Sequence, residues 1–209
     1  MESEGTRRKV VMGRSILFFS KLILLGWMGL SDALGQRISN IELTDAVSGE
    51  IFSWEQHRSA KGVVLIFSSI TCPFSKLYEE RIAALHDEFS PLGVVFALVN
   101  PHVFLGTSES QETMARVAKE RGYAMPYLMD TQQSLATYLQ VTKIPEAVVI
   151  TQGPTGYAVV YKGAIDNNPQ SPESAQMKYL ENALTNLLAR KSPSPASTRA
   201  VGCNIRQLR

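Results

Sequence analysis

Val63-Val64-Leu65-Ile66-Phe67-Ser68-Ser69-Ile70-Thr71-Cys72-Pro73-Phe74 is the stretch from which the architecture can be read. The unbroken apolar run from Val63 to Phe67 predicts a parallel strand buried on both faces, because a half-exposed strand would alternate. The run stops at Ser68-Ser69. Phe74, Leu77, Tyr78, Ile82, Leu85 and Phe89 then recur at helical spacing and form the expected core face of a helix. Pro73 falls in the first turn, where a missing N–H costs nothing because that group has no partner inside the helix. Cys72 is therefore expected at a strand–helix junction, at the carboxyl end of the sheet, where open α/β sheets place their sites. Unpaired N–H groups and the positive end of the helix dipole both favour thiolate there, and thiolate is the nucleophile. A buried structural thiol is the competing reading. Lys76, one turn on, either adds positive charge or is a solvated helix lysine.

Working outward, Ile38–Leu43 and Ile51–Trp54 read as short strands around the Asp45–Gly49 turn. After the helix, Pro91 and Gly93 break the chain and Val94–Val99 forms a second buried strand. Glu109–Arg121 reads as a helix closed by Gly122, Tyr127–Met129 as a strand and Gln132–Leu139 as a short helix. Pro145 precedes the strand Ala147–Ile150, and Gly153-Pro154-Thr155-Gly156 turns it into a hairpin partner, Tyr157–Tyr161. Lys178–Leu188 is the last helix, with Tyr179, Leu180, Ala183, Leu187 and Leu188 on its core face. The alternation predicts an α/β domain over residues 36–190, with helices on both faces of the sheet, and the hairpin makes that sheet mixed.

Residues 1–35 read as an address. Arg7, Arg8, Lys9 and Arg14 precede an apolar stretch from Ser15 to Leu30, and Ala33 and Gly35 supply small residues ahead of Gln36. A cleaved signal peptide is the first reading and a retained N-terminal membrane anchor the second. Either places the body outside the cytoplasm, periplasmic or secreted, where disulfides persist. The formal charge of +2 is unevenly spread: residues 36–189 carry −5, and the segment from Arg190 onward carries five cations and no acid. An acidic body is a poor fit to phosphate backbones, so nucleic acid is excluded as a partner. Ser192-Pro-Ser-Pro-Ala-Ser reads as a linker, making 191–209 a basic flexible tail that carries Cys203. No metal or cofactor is expected, since zinc spacing, a haem motif and a phosphate-cradling glycine loop are all missing.

Several segments together resemble the thioredoxin-like redoxins, the superfamily of thioredoxin and peroxiredoxin. They are Thr71-Cys72-Pro73-Phe74-Ser75-Lys76, Met125-Pro126-Tyr127-Leu128-Met129-Asp130, Val141-Thr142-Lys143-Ile144-Pro145-Glu146 and Tyr161-Lys162-Gly163-Ala164-Ile165-Asp166-Asn167. Gly202-Cys203-Asn204-Ile205 is similar to a tail found in one exported branch. The resemblance spans roughly 38–206 and implies a thioredoxin-like fold with Cys72 as redox centre. It implies that Pro145 is a cis-proline and that Ile144, with Pro73 and Pro145, holds an extended substrate by main-chain hydrogen bonds. It also implies a thiol or disulfide protein, or a small-thiol reductant, as partner. Lys143 and Glu146 flank the bend and pull a nearby thiol in opposite directions.

The chain departs from that pattern at two places, Ser75 and Leu65. Ser75 stands where a dithiol enzyme has its second cysteine, so no self-contained dithiol cycle exists at this motif. Ser69, three residues before Cys72, suits a peroxidase, but Leu65 stands where that pattern has proline. Arg116 and Arg121 are the arginine candidates. Cys203 offers a replacement thiol, since about 13 residues of linker reach up to ~43 Å. It is read as resolving partner, as one end of a stabilising disulfide, or as a free or intermolecular thiol. His102 assists proton transfer or is a solvated loop residue; His57 and His86 are read as surface residues. Two functions result: an exported thiol-dependent oxidoreductase acting on a disulfide or peroxide as an antioxidant, with Cys72, Cys203, Ser69 and Ser75 as catalytic candidates, or a binding module that keeps the cis-proline groove without turnover.

Overall fold

The computed structural model describes residues 37–38, 41–153 and 156–208. The signal or anchor expectation for 1–35 lies outside them. In chain order the strands are β1 (Arg37–Ile38), β2 (Glu42–Asp45), β3 (Ile51–Ser53), β4 (Gly62–Phe67), β5 (Val94–Asn100), β6 (Tyr127–Met129), β7 (Lys143–Ile144), β8 (Glu146–Gly153), β9 (Gly156–Gly163) and β10 (Cys203–Asn204). The helices are α1 (Pro73–Phe89), α2 (Gln111–Glu120), α3 (Ser134–Tyr138) and α4 (Tyr179–Leu188). One mixed sheet is ordered β1-β9-β8-β4-β5-β6-β2-β3, and β7 pairs separately with β10. β4, β5 and β6 run parallel; β8 is antiparallel to β4.

Side-chain alternation along the fully buried β4 sorts the core into two halves. Val64 and Ile66 pack with Tyr78, Ile82, Leu85 and Phe89 of α1, Met114 of α2 and Leu180 of α4. Val63, Leu65 and Phe67 pack with Trp54, Leu135 and Leu139, and with Cys72, Ile144 and Ile205. Helices thus cover both faces; among the described residues α3 is the one α-helix on the second, beside the Trp54 segment and Ile205.

Four expectations need correction. Ile38–Leu43 is two strands: Arg37–Ile38 pairs with β9, and Glu42–Asp45 pairs with β3 and β6. Leu77 is 46% exposed, and Ser75 takes the buried place on that side of α1. The sequence favoured Leu77 because 3.6-residue periodicity cannot say where the apolar stripe ends. Glu109 is not in α2: it closes a 3₁₀ turn, Thr107–Glu109, and Ser110 caps α2 by accepting the Thr113 N–H at 3.3 Å.

The fourth correction concerns the tail, which lies along the body. The Lys162 N–H donates to the Ala196 carbonyl (3.1 Å), and the Thr198 N–H to the Lys162 carbonyl (3.0 Å). Tyr161 spends its hydroxyl proton on the Ala164 carbonyl (2.6 Å), so the Thr198 hydroxyl donates to Tyr161 (2.7 Å) and accepts from the Ala164 N–H (2.9 Å). Gly163, at φ +149°, is required here, because a side chain would collide with Thr198. Backbone pairing of this kind leaves no periodicity in a Ser/Pro-rich stretch, which is why the segment reads as linker.

Candidate active site

Cys72 is the N-cap of α1, in extended geometry (φ −86°, ψ 116°), with Pro73 exposed at the first helical position. Its sulfur is bonded to Cys203, with the two Cα atoms 6.1 Å apart. The tail cysteine is therefore not free in this state. The Cys72 Sγ also lies 3.3 Å from the Ile144 carbonyl oxygen, and the Ile144–Pro145 peptide is cis. Cys72 is 4% exposed while Cys203 is half-buried.

The other candidates converge on the same corner. The Ser75 hydroxyl is buried and accepts the Ser69 N–H at 3.3 Å, bracing the loop across the first turn of the helix. Ser69 accepts the Cys72 N–H through its carbonyl (3.3 Å) and turns its hydroxyl to Glu109. Glu109, expected inside a helix, instead lies ahead of α2, and its fully buried carboxylate organises the approach to Cys72. Oε1 accepts from the Ser69 hydroxyl (2.6 Å), the Thr71 hydroxyl (2.6 Å) and the Thr71 N–H (3.0 Å). Oε2 accepts from the Ile70 N–H (3.2 Å) and the Asn100 side-chain amide (2.8 Å). Burial alone would raise this carboxyl; the hydrogen bonds from Ser69, Thr71 and Asn100 outweigh it and hold the group below its ordinary value. Glu109 is thus an ionised staple under the loop. An acid just ahead of a helix was the only sequence signal, and first-turn acids are common.

His102 is also buried, which removes the solvated-loop reading. Its Nε2 accepts the Arg206 N–H at 3.0 Å, so the neutral ring carries its proton on Nδ1, which faces the Ser69 hydroxyl at 3.4 Å. Burial lowers its pKa most, the Glu109 charge opposes, and Arg206 adds to the lowering. His102 therefore links the tail to the Ser69–Glu109 group. Gln133 adds a second link, donating to the Pro101 and Arg206 carbonyls (2.9 and 2.7 Å) and accepting the Leu208 N–H (3.1 Å).

Between these anchors β10 pairs antiparallel with β7, Cys203 opposite Ile144 and Asn204 opposite Lys143. Lys143 reaches the Asn204 side chain at 2.5 Å. The buried Glu146 carboxylate accepts the Thr142 and Lys143 N–H groups (3.2 and 3.4 Å), so these flanking charges serve the bend and the tail. Lys76 is exposed. Arg116 pairs with Glu120, and Arg121 with Glu79 and Tyr123. Among the described residues no group of three His, Cys, Asp or Glu side chains is placed to hold a metal ion.

A cysteine capping a helix at the end of a buried parallel strand, set against a cis-prolyl bend on a mixed sheet, defines a thioredoxin-fold, thiol-dependent redox protein. The chain belongs to the AhpC/TSA family, whose profile matches residues 34–165. Its fold is similar to that of an uncharacterised conserved protein from Geobacillus kaustophilus (26% identity, TM-score 0.75, covering 83% of this chain and 92% of that one). It is likewise similar to a hypothetical protein from Sinorhizobium meliloti (24%, 0.74, 83% and 94%). At lower similarity it matches the peroxidoxin BcpB from Mycobacterium tuberculosis (21%, 0.54, 76% and 97%). No curated protein matches this chain.

Proposed function

We propose that this chain is an exported thiol–disulfide oxidoreductase whose two working thiols come from the start of α1 and from the tail. The observation that carries the reading is the Cys72–Cys203 bond at the N-terminus of α1, beside the Ile144–Pro145 bend. In the reduced protein the Cys72 thiolate attacks a substrate disulfide, forming a mixed disulfide and releasing one substrate thiolate. Cys203 then attacks the Cys72 sulfur and expels the second substrate thiolate, leaving the 72–203 bond. A reductant thiolate attacks the sulfur of Cys203, the less buried residue of the pair, and expels Cys72 as thiolate, which the helix N-terminus favours. A second reductant thiol attacks the reductant sulfur of that mixed disulfide and frees Cys203.

Disulfide rather than peroxide chemistry is supported by three features. Ser69 is committed to Glu109, Leu65 sits inside β4, and Arg116 and Arg121 are engaged with other partners. Export is supported by the basic, apolar and small-residue order of residues 1–35 and by the oxidised cysteine pair. A purified chain beginning at Gln36 is the expected result of N-terminal sequencing.

The test uses the reduced Cys203→Ser protein and a disulfide substrate. Mass spectrometry should find an accumulated mixed disulfide at Cys72, and none in Cys72→Ser; titration with a thiol reagent should give Cys72 a pKa below about 7.5. A groove that binds without turnover, the reading Ser75 favours, predicts no adduct and an ordinary thiol.

A further inference from the structure

The segment that carries Cys203 is itself an extended strand laid against the cis-prolyl bend, and its residues show what that groove accepts. A side chain at Gly202 would run into the Ile144 carbonyl, with Pro145 N close behind. That carbonyl has no freedom to retreat: Ile144 is fully buried, and the Cys72 sulfur stands 3.3 Å from the same oxygen. Cys203 follows, facing Cys72. The Asn204 side chain is exposed and accepts a hydrogen bond from the Lys143 ammonium. Ile205 turns inward again, as strand alternation requires, and is 7% exposed in the cluster holding Leu135, Leu139, Val141 and Ile144. The Ile205 N–H donates to the Thr142 carbonyl at 3.1 Å, so the strand direction continues past the cysteine.

We infer that the substrate class of this groove is an extended peptide segment of a partner protein in which glycine precedes the cysteine and an aliphatic side chain lies two residues after it. The chain's own tail is the resident copy of that ligand, and a partner segment binds when the tail is out. The inference rests on the thiol-exchange reading and adds to it the pattern the groove selects. The glycine requirement is steric and lies in backbone atoms, so side-chain repacking cannot relieve it. The position after the cysteine is permissive, and the next is apolar.

Reduced, full-length Cys203→Ser protein provides the test, because only Cys72 can react. Two hexapeptides, Ala-Val-Gly-Cys-Asn-Ile and Ala-Val-Ala-Cys-Asn-Ile, each carry their cysteine as a mixed disulfide with thionitrobenzoate. The Cys72 thiolate attacks the peptide sulfur, the bond to thionitrobenzoate breaks, and the coloured anion leaves as the protein–peptide disulfide forms. The glycine peptide should react roughly tenfold faster or more, the effect of forcing one methyl into a site with no room. Adding Gly202→Val to the same chain should evict the resident tail and raise the glycine peptide's rate while its advantage over the alanine peptide persists. The symmetric disulfide of the same chromophore, which carries no peptide, reports the thiol alone. Equal peptide rates with a reactive small disulfide would overturn the inference and leave the exchange reading standing. An unchanged rate in the Gly202→Val chain would show that the tail is not the occupant and overturn the assignment. Failure of the small disulfide to react would remove both.

Discussion

Glu109 gathers five donors from the loop ahead of Cys72 and from Asn100, and its replacement by glutamine would turn an N–H₂ group toward some of them. A buried donor facing a donor, with the charge removed, should cost about 2–3 kcal/mol at pH 7. Urea unfolding of Glu109→Gln against the native chain measures it, and the rate of 72–203 bond formation should fall as the loop loosens. Acid should reproduce part of the loss. The Glu109 carboxyl is held below its ordinary 4.5, so its contribution is complete above that value and disappears as pH falls through the depressed one. His102 acts in the same direction from a higher pH. Its folded pKa lies below 6.5, so the neutral ring contributes fully above 6.5 and loses its hold on the Arg206 N–H as pH drops through the folded value. The sequence offers His102 as a candidate proton carrier and Glu109 as a helix acid, but not the bonds they make, because no local pattern around a glutamate or a histidine records a partner far along the chain. Cys72 was legible, because an apolar run broken just before a Cys-Pro helix start is a local signal.

At the scale of elements, β4, α1, β5 and the hairpin of β8 and β9 follow from apolar runs, prolines and glycines; the sequence places β4, α1 and β5 within a residue or two, while β8 runs three residues past the expected Ile150, to Gly153. β10 follows from no such pattern. Two residues have no periodicity, and the strand exists only because β7 offers an unpaired edge beside the bend. The anchor upstream of it is Thr198, whose hydroxyl joins Tyr161 to Ala164. Thr198→Val keeps the shape and removes that hydroxyl, leaving the Ala164 N–H without an acceptor. The expected loss is about 1–2 kcal/mol. Hydrogen exchange of the 196–206 amides should accelerate in the variant, and 72–203 bond formation after oxidation should slow.

Over the whole molecule, the disulfide joins residues 131 apart in sequence and ties the strand–helix junction to the end of the chain. Closing a loop of that length restricts the unfolded chain by up to ~5 kcal/mol in the chain-entropy picture. Reduction should therefore lower the unfolding midpoint by several degrees or more while leaving the α/β circular-dichroism signature in place, since β10 lies outside the main sheet. Body and tail carry opposite charge, yet among the described residues no ion pair joins a tail cation to the body. The tail is held by the disulfide, by hydrogen bonds to the body's backbone and to the side chains of Tyr161, His102, Gln133 and Lys143, and by burial of Ile205.

The sequence by itself determined the alternation of strands and helices and the cysteine at the mouth of the sheet, because each is written in neighbouring residues; that Pro145 bends toward that cysteine was implied only by the resemblance to the thioredoxin-like redoxins. Only the tertiary structure decided that Cys203 closes on Cys72, that Glu109 and His102 stand behind them, and that Gly202 must be glycine. Those facts depend on backbone atoms from segments far apart in the chain meeting at hydrogen-bond distance, and no local pattern of side chains records such a meeting.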